Sequence, residues 1–251
     1  MIFFFIRATI QKWIISPERK DEKMRIKRIL RRMLGTMCAA VLALSMVSCG
    51  NEHTKKSDSS SSTSSSKTES SSEIAVDESK SFIITLYPEY APESCEHFEE
   101  LVKNGFYNGL VFHRVYPGFM AQAGVYTSNG EARADSKMIK GEFSSNGFTQ
   151  NTLKHNRGVV SMARATDPNS ASSQFFICYI DNITHLDGNY AAFGKVTKGM
   201  EVVDGFTEIE RKMGTIDDIP TVPTKPIVIL KAEMIEDDGE GHHQAKFYMQ
   251  Y

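Results

Sequence analysis

The sequence predicts a mainly β fold, a closed antiparallel barrel capped at its ends by helices. Three observations carry that prediction. Short runs rich in β-branched and aromatic residues recur from Phe82 to Met234, the composition expected of strands on a pleated, half-buried surface. Turn dipeptides punctuate them, among them Asn129-Gly130, Asn146-Gly147 and Asp187-Gly188. Two stretches read as helices and no internal repeat is present; many short strands with two helices argue for closure, which removes exposed sheet edges.

Ahead of that domain the chain reads as an export signal. The 251 residues carry a formal net charge of −2, spread unevenly. The first 32 residues hold ten Lys/Arg against three Asp/Glu, and residues 33–48 are uncharged, which leaves −9 from Cys49 onward. An acidic mature chain excludes affinity driven by phosphate neutralisation, so no nucleic-acid partner is expected. Arg25, Lys27, Arg28, Arg31 and Arg32 precede the apolar run from Met33 to Val47. That run is too short to span a bilayer comfortably and suits the core of a secretion signal. It ends in Ser45-Met-Val-Ser-Cys49-Gly-Asn, which is similar to the lipobox of bacterial lipoproteins, with Met46 where Leu is commonest. In that box the cysteine is lipidated and becomes the first residue, so Cys49 is the expected lipidation site. Stable anchoring needs more than one acyl chain. The alternatives are an ordinary cleaved signal and an uncleaved anchor. Residues 1–23 fit neither scheme, and Met24 is the expected start. Residues 49–73 form a linker in which 11 of the 16 residues from Ser57 to Ser72 are serine. Such a segment buries too little to offset its ordering entropy.

The folded domain is expected over residues 74–237. Phe82–Tyr87 is a strand, paired with Ile74–Val76 across Asp77–Lys80. Pro92–Asn104 is a helix, with Pro92 at its first position, Gly105 as its stop, and Cys95, Phe98, Leu101 and Val102 on one face. Leu110–Val115 and Phe119–Ala123 are strands joined at Pro117-Gly118, a pair that suits a type II turn. Val159–Ala163, Phe175–Tyr179, Ala192–Thr197 and Ile227–Met234 are further strands. Gly199–Phe206 is a short helix with Met200, Val203 and Phe206 inward. Residues 238–251 are polar and Gly-bearing and read as a disordered tail, where His242-His243 offers a stray metal nothing better than a solvated end. Cys95 and Cys178 show no metal-ligand spacing and read as small buried side chains, a disulfide being the alternative.

Chemistry concentrates in the stretch Phe112-His-Arg-Val-Tyr-Pro-Gly-Phe-Met-Ala-Gln-Ala-Gly124. Arg114 lies before the turn, Gln122 after it, and Phe119 and Met120 between. A cationic donor fork, an amide and an apolar floor suit a peptide carbonyl beside an apolar side chain. The alternative is a core hairpin with Arg114 in a structural salt bridge. His113 reads as a buried, hydrogen-bonded residue and not as a base. Two further stretches decide the matter: Arg157-Gly-Val-Val-Ser-Met-Ala-Arg164 with Asn169-Ser-Ala-Ser-Ser-Gln-Phe-Phe-Ile177, and Leu186-Asp-Gly-Asn-Tyr-Ala-Ala-Phe-Gly194. Together these resemble the cyclophilin family of peptidyl-prolyl cis-trans isomerases.

The resemblance implies an eight-stranded closed barrel with a helix at each end. It implies that Arg114 is catalytic, that Phe119, Met120, Phe176 and Leu186 form the proline pocket, and that Gln122 and Gln174 are polar groups of the groove. It also puts Ala163 on the strand that pairs with bound peptide. Tyr190 stands where many members carry His. His185 stands where animal-type members carry a Trp that helps bind cyclosporin, which implies weaker cyclosporin affinity. Arg164 replaces an Asn and implies a bias toward acidic neighbours.

The chemistry of X–Pro isomerisation suits these residue types. Amide resonance sets a barrier of roughly 18–20 kcal/mol, with no covalent step and no proton to move. The nitrogen becomes pyramidal at the transition state, and a guanidinium that bonds its lone pair favours the twisted form. One such charged hydrogen bond is worth about 1.5–3 kcal/mol, whereas a rate gain on the order of 10⁵ needs about 7 kcal/mol. Arg114 therefore requires help from a dry pocket and from groups that hold one side of the bond. No Ser/His/Asp set, metal-ligand spacing or phosphate loop can be assembled from the sequence. The resulting expectation is a monomeric, lipid-anchored isomerase on the extracytoplasmic side of the cell membrane. It acts on proline-containing exported polypeptides without cofactor or metal. The alternative is a proline-peptide binding module with little turnover.

Overall fold

The computed structural model describes residues 76–133 and 137–251. The signal region, Cys49, the serine-rich linker and the expected strand residues Ile74 and Ala75 lie outside the described residues. In chain order the elements are β1 (Ser81–Leu86), α1 (Pro92–Lys103), β2 (Arg114–Tyr116), β3 (Met120–Ala123), β4 (Val159–Met162), β5 (Phe175–Cys178), β6 (Ala192–Lys198), α2 (Met200–Gly205), β7 (Arg211–Met213), β8 (Pro220–Pro223), β9 (Val228–Ile235) and β10 (Gln244–Gln250). Eight strands form one antiparallel sheet in the order β2-β3-β5-β4-β6-β1-β10-β9, and β7 pairs with β8 apart from it.

The sheet is an open half-barrel that curls through 224°, not the closed barrel expected. The reason lies in the segment that would close it. Leu110–Val115 is not one strand but two partial ones. At its start, Gly109 N–H donates to Ile229 O (2.7 Å), Ile229 N–H to Leu110 O (2.8 Å) and Phe112 N–H to Ile227 O (2.9 Å), with a single bridge at Val111–Val228. Beyond Phe112 the chain turns to β3, where Arg114 pairs with Gln122 and Tyr116 with Met120. Among the described residues no strand carries a continuous ladder from β2 to β9.

A further expectation is corrected at the other end of the sheet. Residues 244–250 are not a frayed tail but β10, inserted between β1 and β9. Ala245, Phe247 and Met249 alternate into the core and are at most 1% exposed, a period-2 pattern. The turn that delivers them is built by Asp238, whose Oδ1 accepts from the Glu240 and His242 amides, both at 2.8 Å. β1 has β6 on one side and β10 on the other, Val76 lies in no strand, and Glu78–Lys80 forms a 3₁₀ turn.

The two helices sit as expected. Glu142, buried, accepts from the Glu93 and Ser94 amides at the start of α1 (2.9 and 2.8 Å), satisfying donors that a helix start leaves unpaired. Gly105 follows the helix at φ 66°, a conformation that favours glycine. Phe98 of α1 fills the core among Tyr107, Phe175, Phe193 and Phe247, at ring-centroid distances of 5.3, 5.4, 4.9 and 6.0 Å. At the other end α2 buries Val202 and Val203, with Phe206 directly after it. Cys95 and Cys178 are buried free thiols, and burial pushes the Cys178 thiol up to about 12.

Candidate active site

Strand register gathers the site. Arg114 pairs with Gln122, Gln122 with Phe176, and Phe176 with Ser161 across β2, β3, β5 and β4. Directly paired residues project from the same face of a sheet, so all four share one face. Their neighbours Val115, Ala121, Ile177 and Val160 project to the other and join the main core. Met120, two residues before Gln122, lies on the site face. It belongs with Val159, Phe176, Cys178, Ile183, Leu186 and Ala192 to a second apolar cluster, against which Tyr116, Phe119, Leu153, Ala163 and Tyr190 pack. The uninterrupted apolar run Phe175–Cys178 is thereby explained: β5 is covered on both faces.

The polar half of the site is a chain of hydrogen bonds. Arg114 Nη1 donates to Gln122 Oε1 (3.3 Å), and Gln122 Nε2 donates to Gln174 Oε1 (3.0 Å). An arginine can only donate, so Gln122 must turn its oxygen to Arg114, and its amino group is left to face Gln174. The opposite side of the guanidinium meets a residue that the sequence did not announce. Arg114 Nε donates to Asp217 Oδ2 (2.8 Å) and Nη2 to Asp217 Oδ1 (2.5 Å). The Arg114 guanidinium beside it holds the Asp217 carboxyl below the usual carboxylate range. A cavity of about 750 Å³ opens beside the pair, lined by His113, Tyr126, Ile216 and Val222 among others. Burial first, and then the charge of Arg114, push His113 down to about 4. It stays neutral and packs edge-on to Tyr126 (5.1 Å), while its Nδ1 finds no hydrogen-bond partner among the described residues.

The remaining predicted residues gather at and around this second apolar cluster. Phe119 lies tilted over His185 (5.7 Å) and edge-on to Tyr116 (5.7 Å). Tyr190 meets Phe176 edge-on at 5.8 Å. Gly118 takes φ 74° in the turn before Phe119, as the Pro-Gly pair required. Ala163 falls one residue past the end of β4, but its N–H still donates to Gln174 O (2.9 Å). Arg164 is held by backbone carbonyls and rings. Its guanidinium donates to the carbonyls of Asn189, Ala165 and Thr166 and lies over the rings of Tyr190 (4.6 Å) and Phe143 (5.2 Å). It ties two loops together through these carbonyls.

Beneath Phe176 lies an assembly that the sequence did not reveal. His155 Nδ1 contacts Asp187 Oδ1 (3.0 Å) and Nε2 contacts Ser161 Oγ (3.0 Å). A carboxylate only accepts, so Nδ1 carries the proton and Nε2 accepts from the serine. The order Asp–His–Ser has the look of a nucleophile triad, but Ser161 is 0% and His155 1% exposed. No substrate reaches the hydroxyl. The His155 ring stacks on Phe176 at 6.0 Å, and Asp187 is adjacent to Leu186, so the assembly supports two members of the second apolar cluster. No sequence spacing announces it, because the partners come from a loop, β4 and a turn.

A family model described as cyclophilin type peptidyl-prolyl cis-trans isomerase/CLD matches residues 71–234. Peptidyl-prolyl cis-trans isomerase A of Dickeya dadantii (strain 3937) is 41% identical over 157 residues, covering 61% of this chain and 78% of that one. The peptidyl-prolyl cis-trans isomerase of Acinetobacter baylyi (strain ATCC 33305 / BD413 / ADP1) is 44% identical over 151 residues, covering 58% and 77%. Among solved structures, a Cryptosporidium parvum cyclophilin type peptidyl-prolyl cis-trans isomerase in the presence of the dipeptide Ala-Pro aligns over 59% of this chain and 91% of that one, with 25% identity and a TM-score of 0.44. This chain belongs to the cyclophilin-type peptidyl-prolyl cis-trans isomerases.

Proposed function

We propose that this isomerase works on exported polypeptides at the outer face of the membrane, held there by a lipid on Cys49 and acting as a monomer. The basic segment, apolar run and Cys49 box support the export and anchoring. Among the described residues no helix is long and apolar enough to cross a membrane.

Within the site, Arg114 is the group that bonds the prolyl nitrogen as the X–Pro bond twists. The observation that carries this reading is the shared row Arg114–Gln122–Phe176, which sets a charged donor, an amide and an aromatic wall on one face. Phe119, Met120, Phe176 and Leu186 take the proline ring, with His185 and Tyr190 at its rim. Gln122, Gln174 and the backbone at Ala163 hold the peptide backbone, so that rotation is confined to one side of the bond. Excluding water from the pocket strengthens each of these contacts. The test is a prolyl-isomerisation assay on wild type and Arg114→Ala. The expected loss in kcat/KM is about 10- to 150-fold, the rate equivalent of one charged hydrogen bond of about 1.5–3 kcal/mol. A variant that binds proline peptide as before and turns it over as fast as wild type removes Arg114 from the chemistry. A wild type that binds such peptides without turnover makes the chain a binding module.

A further inference from the structure

We infer that Asp217, on the β7–β8 hairpin, is a positioning residue for the isomerase: its carboxylate grips one edge of the Arg114 guanidinium and turns the other toward the substrate. The inference rests on the role given to Arg114 above and extends the site to a segment that none of the three sequence motifs reaches.

The geometry is specific. Asp217 takes the Nε and Nη2 side of the guanidinium at 2.8 and 2.5 Å. Gln122 takes one proton of Nη1 at 3.3 Å. Of the guanidinium's N–H groups, one on each Nη remains, and both lie on the far edge. A planar fork held along one side cannot rotate about its last bond, so that edge is presented in one orientation. The carboxylate is in turn held from behind: Thr221, fully buried, donates its hydroxyl to Asp217 Oδ2 at 2.7 Å. The burial of Asp217 runs against its surroundings. Its side chain is 5% exposed, whereas the preceding Ile216 is 77% exposed and the following Asp218 is exposed. One residue of an otherwise solvated turn is directed inward, onto Arg114. The base of the hairpin is closed by Thr224 N–H donating to Glu210 O (2.8 Å).

Two effects compete when a carboxylate pairs with this arginine. It partly cancels the positive charge, and it fixes the donor's direction. The prolyl nitrogen gains a lone pair at the transition state but no net charge, so a directional hydrogen bond has more to offer than a long-range field. Direction therefore decides the sign, and loss of Asp217 slows the reaction.

The test compares Asp217→Ala and Asp217→Asn with wild type, in both the native and the Arg114→Lys backgrounds. Asparagine keeps the volume but sets an amino group against an arginine donor, so it breaks the fork without emptying the site. Each variant is expected to lower the catalysed rate about three- to tenfold while leaving the Kd for an Ala-Pro peptide unchanged. Neither is expected to lower the rate further in the Arg114→Lys background, because a lysine ammonium has no planar fork for a carboxylate to grip. The Arg114 Nε–H resonance is expected to shift or broaden in both variants while β3 and β5 amides stay in place, which separates reorientation of the side chain from loss of fold. Unchanged or faster turnover in Asp217→Asn, or an equal loss in the Arg114→Lys background, overturns the inference. If Arg114→Ala itself keeps the wild-type rate, it is the role of Arg114 that fails instead.

Discussion

Burial keeps His155 neutral, and that neutrality ties the fold's stability to pH. Desolvation lowers the His155 pKa below its ordinary 6.5, against the raising effect of Asp187. Burial alone would raise Asp187, but hydrogen bonds from the His155 amide and ring hold it below the usual carboxylate range. Both folded-state pKa values are depressed, so both groups contribute stability that is present above their unfolded values and lost as pH falls. For His155 the loss begins near 6.5, and for Asp187 only below 3.8. His242 and His243, whose carboxylate partners raise their pKa, act with the opposite sign. His155→Gln is expected to flatten the fall in stability between pH 6.5 and 5 by up to one proton's worth of slope, about 1.4 kcal/mol per pH unit. Urea midpoints at the two pH values would read it, and an unchanged slope would mean that the ring titrates as it does in the unfolded chain. Arg114 makes a different point at this scale. The sequence left two readings open, a structural ion pair and a substrate-facing donor. The structure shows the ion pair, with Asp217, and the guanidinium's second edge is what lets the proposed substrate-facing role stand beside it.

At the scale of elements, β10 and the β7–β8 hairpin lie outside the readings made from the sequence. Residues 244–250 carry an apolar alternation that was legible, but the polar, glycine-bearing run before them weighed more in reading the segment as a tail. In the fold, Phe247 stacks on Phe82 at 5.2 Å and meets Phe98 and Phe175 at 6.0 Å each. Phe247→Ala is expected to cost about 3–5 kcal/mol of unfolding free energy, measurable by chemical denaturation. A chain ending at Asp237 leaves β1 and β9 with unpaired edges and is expected to be insoluble. Recovery of a soluble, fully active truncation would return residues 238–251 to the status of a tail. The hairpin gave no comparable signal. β7 and β8 are short, and Arg114 and Asp217 stand 103 residues apart.

At the scale of the whole molecule, the same strands serve two apolar clusters, one on each face of the sheet. Even residues of β3 and β5 build the site and odd residues build the core, so a one-residue slip in register would exchange them. Anchoring belongs to this scale too, although Cys49 lies outside the described residues. Cys49→Ala is expected to abolish labelling by a radioactive fatty acid and to release the protein from the membrane fraction or leave it unprocessed. Normal labelling in that variant would move the lipid elsewhere.

The sequence by itself supplied the candidates on one side of the site, through the resemblance that its motifs carry: Arg114, Phe119, Met120, Gln122, Gln174, Phe176 and Leu186 come in three continuous motifs, because strands and their turns are local and carry their chemistry with them. It also determined both helices, through apolar spacing and the stop at Gly105. Tertiary structure alone decided that the sheet stays open, that residues 244–250 are an inner strand, and that Asp187, His155 and Ser161 meet beneath Phe176. It alone decided the partner of Arg114. Each of these depends on which distant backbone or carboxylate arrives opposite a given residue. That is fixed by the summed packing of the chain, and no window of neighbouring residues contains it.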